Sequence, residues 1–250
     1  MDVLEKDDFL SLPKRLNIVV GAYGSGKTEI CVNMAVRLAN LKNRVNLADL
    51  DIANPYFRSR EVQDFLREQG VNPVVPSGEE QFSDLPVILP QIKGMLKAAD
   101  EDYSLFDVGG DETGARVLAS LHEGIASDEY NLMQVINSKR PFTSTVSGCI
   151  DMKNRVEQTS CLKVDSYIIN SHLMEFTDEI QILEAFEFAK ELEQAGGVKI
   201  SYFSVMEGVM NLDKLRIQID YPILLLKRRM LPPWLKINGS TSWPVTGNRL

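Results

Sequence analysis

The most constraining feature of the sequence is the segment Gly21-Ala-Tyr-Gly-Ser-Gly-Lys-Thr28, which matches the pattern G-x-x-x-x-G-K-[ST]. A short apolar run, from Leu16 to Val20, precedes this loop, and a helical pattern follows it from Lys27. Glycines at these positions allow several backbone N–H groups to point at one place, and the first turn of the helix adds the positive end of its dipole. A strand, a loop and a helix in this order predict a polyphosphate site.

Each group of this loop has an expected role in holding a nucleoside triphosphate. Lys27 is expected to contact the β- and γ-phosphate oxygens, and the Thr28 hydroxyl to ligate a Mg²⁺ ion that bridges them. We expect nucleotide contacts along the whole loop and at the start of the helix, at Gly21, Gly24, Ser25, Gly26, Lys27, Thr28 and Glu29. The alternative is a glycine-rich turn without function, which the strand-to-helix setting disfavours.

Short apolar runs alternate with helical patterns along the rest of the chain, as in βαβ units. We predict strands at 16–20, 45–49, 71–75, 103–107, 132–137, 166–170, 199–205 and 222–226. Helices are predicted at 27–40, 57–69, 87–98, 113–123, 144–161 and 177–194. Several strands are apolar throughout, which is typical of a parallel sheet covered on both faces. The fold class is therefore α/β, with a doubly wound, mostly parallel sheet of about eight strands between two helical layers.

The alternation of strands and helices predicts a single nucleotide-binding domain over residues 1–230, because no linker or repeat divides it. Residues 231–250 have no periodicity and contain Pro232, Pro233 and Trp234, so we expect a cap or tail outside the sheet. The helix predicted at 177–194 carries an apolar stripe made of Ile180, Leu183, Phe186, Phe188 and Leu192.

Acidic residues end two of the predicted strands. Asp49 and Asp51 end the second strand and share a side-chain direction if the strand continues, and Asp107 ends the fourth. In a doubly wound sheet the ligand lies at this edge, so we expect Asp49 and Asp107 to hold Mg²⁺ directly or through water. Asp51 would then orient or activate the attacking water. An Asx-turn or a helix cap is the alternative role for either acid of the second strand.

Two glycines, Gly109 and Gly110, follow Asp107 and leave room for a backbone N–H to approach a γ-phosphate. We expect the N–H of Gly110 to make this contact. Cations near the same edge, Arg58, Arg60, Lys139 and Arg140, could meet phosphate or an anionic substrate, or could be solvated surface charges. The run from Lys227 to Arg229 follows the last strand and could contact an acidic partner or the nucleotide, although charges at the end of an element are more often plain surface.

Composition limits the classes of partner. The chain has 27 Lys and Arg against 35 Asp and Glu, a net charge of −8, so we do not expect nucleic acid as a partner. No apolar run reaches the roughly 18 residues of a membrane-spanning helix, and the first residues lack the order of a signal peptide. Three scattered cysteines fit no disulfide framework and no zinc motif, so the expected location is the cytoplasm.

The phosphate loop, the strand ending Asp49-Leu-Asp51 and the strand ending Asp107-Val-Gly-Gly together resemble the P-loop NTPase family, of the SIMIBI class, that includes the MinD, ParA and Mrp-type ATPases. The nucleotide-binding domain of cobyrinic-acid amide synthases belongs to the same family. The resemblance implies ATP and Mg²⁺ as cofactors and Asp51 as the catalytic acid that positions the hydrolytic water, with Lys27 as its catalytic partner. It also implies that Asn170, at the end of a late strand, reads the nucleobase through its donor and acceptor.

One position departs from this family. Many MinD- and ParA-like members carry a second lysine directly after the first glycine of the loop, whereas this chain has Ala22. That lysine reaches across an ATP-bound homodimer, so the resemblance leaves a homodimer open. Relatives that act on small molecules, such as dethiobiotin synthetase, also lack it.

Three functions fit these observations. The first is an ATPase that acts as a nucleotide switch for an unidentified protein partner. The second is an ATP-dependent ligase or kinase of the dethiobiotin-synthetase or cobyrinic-acid-amide-synthase type, which would pass phosphate to a small-molecule acceptor beside the Arg58 and Lys139 regions. The third is an ATPase that serves metal-cofactor maturation. The length of 250 residues leaves no room for a separate ligase domain, which favours the switch.

Overall fold

The computed structural model describes residues 12–51, 62–74, 89–98, 102–110, 112–125 and 129–230. Eight strands are present: β1 (Leu16–Gly21), β2 (Val45–Asp49), β3 (Val71–Val74), β4 (Tyr103–Gly109), β5 (Tyr130–Ile136), β6 (Ser166–Ile169), β7 (Ile200–Met206) and β8 (Ile223–Leu226). The α-helices in these ranges are α1 (Lys27–Asn40), α2 (Gln63–Glu68), α3 (Leu89–Ala98), α4 (Glu112–Leu121), α5 (Val146–Ser160), α6 (Glu179–Gly196) and α7 (Leu212–Gln218).

The eight strands form one sheet in the order β3-β2-β4-β1-β5-β6-β7-β8, and every neighbouring pair is parallel. The predicted α/β class and parallel sheet are therefore confirmed. Strand β1 lies between β4 and β5, and β4 lies between β1 and β2. Because parallel strands end at the same edge, this order brings the carboxyl ends of β1, β2 and β4 together.

Both faces of the sheet are covered by helices, and β1 shows why its residues are continuously apolar. Ile18 and Val20 pack into a core with α3, α4, α5 and α6, whereas Val19 packs into a second core with α1 and α2. All six residues of β1 are buried. A strand buried on both faces needs no polar alternation, which explains the apolar run in the sequence.

The helix predicted at 57–69 is described only in part, and one short helix lies outside the predicted set. The first part of the helix predicted at 57–69 lies outside the described residues, and α2 begins at Gln63. Helix α7, which was not predicted, has only seven residues, too few to show a helical period. Its capping signal is visible in the sequence, because the Asn211 side chain accepts hydrogen bonds from the backbone N–H groups of Asp213 and Lys214.

The apolar stripe predicted for α6 is partly wrong. Phe186 and Leu192 are buried as expected, but Ile180 is 68% exposed and Leu183 is only partly buried. The face that packs on the sheet consists instead of Ile182, Ala185, Phe186, Ala189 and Leu192. Two small alanines allow α6 to approach the sheet closely, and a search for large apolar residues overlooks them.

None of the described helices is long and apolar enough to cross a bilayer. The segment 231–250, predicted to be a cap or tail, lies outside the described residues, and the assignment of 1–230 to one domain stays a prediction.

Helix α4 starts where β4 ends, and a glycine makes this close junction possible. A Cβ atom placed on Gly114 would lie 1.8 Å from the backbone oxygen of Gly109, a contact that only a backbone shift could relieve. On α3, a Cβ atom on Gly94 would meet nothing within 4 Å. The two positions form a matched pair of helical glycines.

We expect Gly114→Ala to lower the free energy of unfolding by about 1–3 kcal/mol, because the added methyl group overpacks the junction. Gly94→Ala should be neutral or stabilising by up to about 1 kcal/mol through helix propensity. Urea unfolding followed by circular dichroism measures both values. Equal stability of the two variants would contradict the close junction.

Candidate functional site

The phosphate loop joins β1 to α1, and two of its glycines have a backbone that other residues rarely adopt. Gly24 has φ +71° and Gly26 has φ +89°, both in the left-handed region. The turn is closed by the backbone N–H of Ser25, which donates to the oxygen of Ala22 at 2.9 Å. The loop thus ends at the amino terminus of α1, where unpaired N–H groups favour an anion.

The end of β4 packs against this loop at its first glycine. The Gly110 N–H donates to the oxygen of Gly21 at 3.1 Å, and a Cβ atom on Gly110 would lie 2.4 Å from the Gly21 carbonyl carbon. The amide predicted to approach a γ-phosphate is therefore engaged with the phosphate loop in this structure. Any movement of Gly110 changes a contact with Gly21.

Lys27 lies at the centre of the site and pairs with a carboxylate of the second strand. Its Nζ atom is 2.7 Å from Oδ2 of Asp51, and both side chains are 5% exposed. Burial alone would lower the pKa of Lys27, but the negative charges of Asp107 and Asp51 outweigh it and raise that pKa above its ordinary value. The predicted catalytic pair thus forms one buried ion pair.

Asp107 is fully buried at the end of β4 and faces the start of α1. Its Oδ2 atom accepts a hydrogen bond of 2.7 Å from the Thr28 hydroxyl. Burial raises the pKa of Asp107 to about 6, although the Lys27 charge and the Thr28 hydrogen bond both act to lower it. This contact brings together two of the three residues predicted to hold a metal.

The third predicted metal residue, Asp49, sits beside Asp107, its register partner on the neighbouring strand. Asp49 is buried, and its Oδ1 atom accepts a hydrogen bond of 3.2 Å from the backbone N–H of Asp51. It therefore shapes the turn that carries Asp51 as well as adding negative charge near Lys27. This contact is the Asx-turn given as the alternative role for Asp49, and its role in holding a metal stays a prediction.

These residues fit a Mg²⁺ ion that is shared with phosphate. Within the described residues, Asp107 Oδ1 and the Ser25 hydroxyl are buried without a hydrogen-bond partner. No group of three or more His, Cys, Asp or Glu side chains in these ranges is arranged to enclose a metal by itself. Mg²⁺ usually takes one or two protein oxygens and completes its shell with water and phosphate, which matches Thr28 and Asp107.

Asn170, predicted to read a nucleobase, contacts the phosphate loop. Its Nδ2 atom donates to the oxygen of Ser25 at 2.7 Å, and its Oδ1 atom accepts from the Ser204 hydroxyl at 2.8 Å. A Cβ atom on Gly26 would lie 2.2 Å from the Asn170 amide nitrogen, so the loop needs glycine there. Asn170 holds the shape of the loop, and its role in base recognition stays a prediction.

Of the four cations predicted near the sheet edge, one contacts the phosphate loop. Arg140 Nε donates to the oxygen of Gly24 at 2.9 Å. Lys139 instead pairs with Glu184 on α6 at 2.6 Å. Arg58 and Arg60 lie outside the described residues.

A contact missed by the sequence analysis ties the chain after β8 to α1. Glu29, predicted to contact nucleotide, accepts hydrogen bonds from the backbone N–H groups of Arg229 at 2.6 Å and Met230 at 3.0 Å. One turn later, Asn33 exchanges two hydrogen bonds with the backbone of Lys227, at 2.8 and 3.0 Å. The available signal was a carboxylate and an amide four residues apart in the apolar first half of α1.

Two cavities open on either side of the loop, and Tyr23 and Lys27 line both of them. The smaller one, of about 230 Å³, is bordered by Arg140, Arg228 and Met230. The larger one, of about 540 Å³, extends from Asp51 and Gly110 to helices α4 and α5.

His172 lies behind the smaller cavity and is held uncharged. Its Nδ1 atom accepts a hydrogen bond of 2.9 Å from the Met174 N–H, and its Nε2 atom is 3.1 Å from Arg228 Nη2. Burial lowers the pKa of His172 to about 3, and the positive charges of Arg228 and Arg140 act in the same direction. The ring is therefore neutral at pH 7.

This shift predicts a pH dependence of stability. Between pH 6.5 and about 3 the unfolded chain protonates His172 and the folded chain does not, so the free energy of unfolding falls as the pH falls. His172→Asn keeps an acceptor for the Met174 N–H but does not titrate. From pH 7 to pH 4.5, wild type should lose about 1–3 kcal/mol more than the variant in urea unfolding. Equal losses of stability in both proteins would contradict a neutral, partly buried His172.

No protein-family model matches the sequence, and no curated protein matches it significantly. Solved structures do match. FtsY from Mycoplasma mycoides aligns at 18% identity and a TM-score of 0.56, over 85% of this chain and 68% of that one. Chloroplast FtsY from Physcomitrella patens aligns at 16% identity and a TM-score of 0.55, over 83% and 64%. FtsY from Thermotoga maritima aligns at 18% identity and a TM-score of 0.52, over 82% and 65%.

The chain thus spans about two thirds of the length of these structures. At such identities the likeness shows the fold alone, an α/β fold like that of P-loop NTPases. The closer resemblance to MinD and ParA is not tested by these matches. The described part of the chain has the P-loop NTPase fold, with its phosphate loop, Lys27 and the carboxylates of β2 and β4 gathered at one edge of the sheet.

Proposed function

We propose that this protein binds a nucleoside triphosphate with Mg²⁺ and hydrolyses it, and that it acts as a nucleotide switch for a protein partner. The observation that carries the proposal is the buried Lys27 ammonium group, which ends a loop of backbone amides and faces Asp51, Asp107 and Asp49. Burying charged groups costs free energy unless opposite charges and hydrogen bonds compensate for the lost solvation. A triphosphate with its metal ion supplies the matching charges.

In the proposed complex, the phosphates lie on the amides at the start of α1, and Lys27 turns from Asp51 to the β- and γ-phosphate oxygens. Thr28 and Asp107 would hold Mg²⁺, which would supply positive charge to the phosphates. The smaller cavity receives the nucleoside end, where Arg140 and Arg228 supply positive charge. The resemblance to MinD- and ParA-type proteins favours ATP.

Hydrolysis needs a group that positions water in line with the γ-phosphate. Once Lys27 has turned to the phosphates, the Asp51 carboxylate is free to accept a hydrogen bond from that water. The water oxygen bonds to the γ-phosphorus, the bond to the bridging oxygen breaks, and Asp51 accepts the water proton. The ion pair therefore keeps the two proposed catalytic groups next to each other.

The switch proposal rests on the contact between Gly110 and Gly21. A γ-phosphate that attracts the Gly110 N–H would draw it from the Gly21 oxygen, and the junction with α4 would move with it. Release of phosphate would restore the present contact. The end of β4 is thus a two-state element next to the nucleotide, which a partner protein could recognise.

A small-molecule ligase or kinase is the second candidate, and one observation favours it. The larger cavity is lined by Lys27 and Asp51, so an acceptor could reach the γ-phosphate there.

An experiment separates the two candidates. Turnover of ATP or GTP alone, with dimerisation on a non-hydrolysable analogue in size-exclusion chromatography, favours the switch. Turnover only with an added acceptor favours the ligase. The assay includes both ATP and GTP, because the Asn170 amide is hydrogen-bonded to Ser25 and Ser204 and so does not indicate which base is bound.

We expect Lys27→Ala to weaken Mg²⁺·ATP binding by roughly 10- to 100-fold, because a hydrogen-bonded charge on the phosphates is lost. Isothermal titration calorimetry measures the affinity. Lys93→Ala, which removes an exposed cation from α3, serves as the control and should bind like wild type. Unchanged affinity in the Lys27 variant would overturn the assignment of the loop as the phosphate site.

A further inference from the structure

The larger cavity has the character of a small-molecule site. Its volume of about 540 Å³ lies within the range of roughly 300–1,000 Å³ that is common for ligand pockets. Met152 and Val156 of α5, Ala115 of α4 and the ring of Phe142 supply apolar walls. The hydroxyl-bearing side chains of Thr113 and Thr159 lie among them. Apolar walls with a few polar groups are what such pockets use to hold and orient a ligand.

Among the residues that the structure describes, the charges lining this cavity leave one cation in excess. Lys27 is paired with Asp51 at 2.7 Å, and Glu112 at the rim is paired with Arg116 at 3.2 Å. Arg155 of α5 also lines the cavity and, within the part of the chain that the structure describes, forms no ion pair with a carboxylate. Among the described lining residues, the exposed side chain of Arg155 is therefore the one charge without an opposite charge beside it.

The position of Arg155 on α5 fits a ligand that has one charged end and one apolar end. Arg155 and Thr159 are four residues apart, so they lie on one face of α5. Met152 and Val156 lie beside them on the cavity side of the same helix. One guanidinium group can bind a planar carboxylate through two parallel hydrogen bonds. A singly charged head at Arg155 would leave an apolar body against Met152 and Val156.

We propose that this cavity binds a small monocarboxylic acid with an apolar body, its carboxylate on Arg155 and its body between α5 and Phe142. The cavity borders the proposed nucleotide site at Lys27, Asp51 and Gly110 and extends away from it to α4 and α5, so the proposal adds a ligand to the nucleotide switch. A ligand that fills the cavity would contact Lys27, Asp51 and Gly110 from the side opposite the smaller cavity. Occupancy would therefore couple to the groups that we assign to hydrolysis and switching.

The test uses octanoate as the probe and the full chain with ¹³C-labelled methionine methyl groups. Among the nine methionines, Met152 lines the cavity, and its signal is assigned with Met152→Leu. We expect octanoate to shift the Met152 signal saturably, with or without nucleotide. Octanol and octylamine, which have the same chain without the negative charge, should bind roughly 10- to 100-fold more weakly.

The decisive variant is Arg155→Gln, which keeps a long polar side chain and removes the charge. We expect it to weaken octanoate binding by roughly 10- to 100-fold and to leave octanol binding unchanged. Arg67→Gln on α2, which removes an exposed cation away from the cavity, should bind octanoate like wild type. Thermal unfolding shows whether each variant is folded.

Three results would overturn the proposal. The first is a Met152 signal that octanoate does not move, and the second is equal octanoate affinity in wild type and Arg155→Gln. The third is a Met152 signal that depends on protein concentration instead, which would mean that a second copy covers Tyr23 and Phe142, both more than 60% exposed. Nucleotide affinity of Arg155→Gln is measured separately, so failure here is distinguishable from failure of the phosphate site.

Discussion

The ion pair between Lys27 and Asp51 is the interaction around which the site is arranged. A buried ammonium group is stable only next to opposite charge, and here the acids come from the ends of two neighbouring strands. The sheet order β2-β4-β1 supplies this arrangement, because it places the phosphate loop beside β4 and Asp51 within reach of Lys27. The ion pair thus gathers, at one edge of the sheet, the charges that we propose to bind a metal nucleotide.

The phosphate loop keeps its shape through contacts that come from the opposite half of the sheet. Asn170 of the β6 end holds the Ser25 carbonyl, and Arg140 holds that of Gly24. Glu29 binds the backbone after β8, which brings Arg228 to the smaller cavity. The residues of the site therefore lie along the edge of the sheet from β2 to β8, and residues of the phosphate loop line the two cavities.

The strands and the centre of the site could be predicted because their signals are local. A loop pattern between a strand and a helix identifies Lys27 and Thr28, and an acid at the end of an apolar run identifies Asp107. The roles of Glu29 and Asn170 could not, because their partners are 145 to 201 residues away in the chain. Helix α6 was misread at Ile180, since small buried residues such as Ala185 decide which face packs on the sheet.

The central claim, that Asp51 restrains Lys27 and then positions water, is tested most directly by single-turnover hydrolysis and nucleotide binding in Asp51→Asn. The neutral amide releases Lys27 to the phosphates but accepts a water proton poorly. We predict binding at least as tight as in wild type, with hydrolysis slower by roughly 10²- to 10⁴-fold. Asp151→Asn, on the exposed side of α5, is the control. Wild-type hydrolysis in Asp51→Asn, or loss of nucleotide binding, would contradict the account.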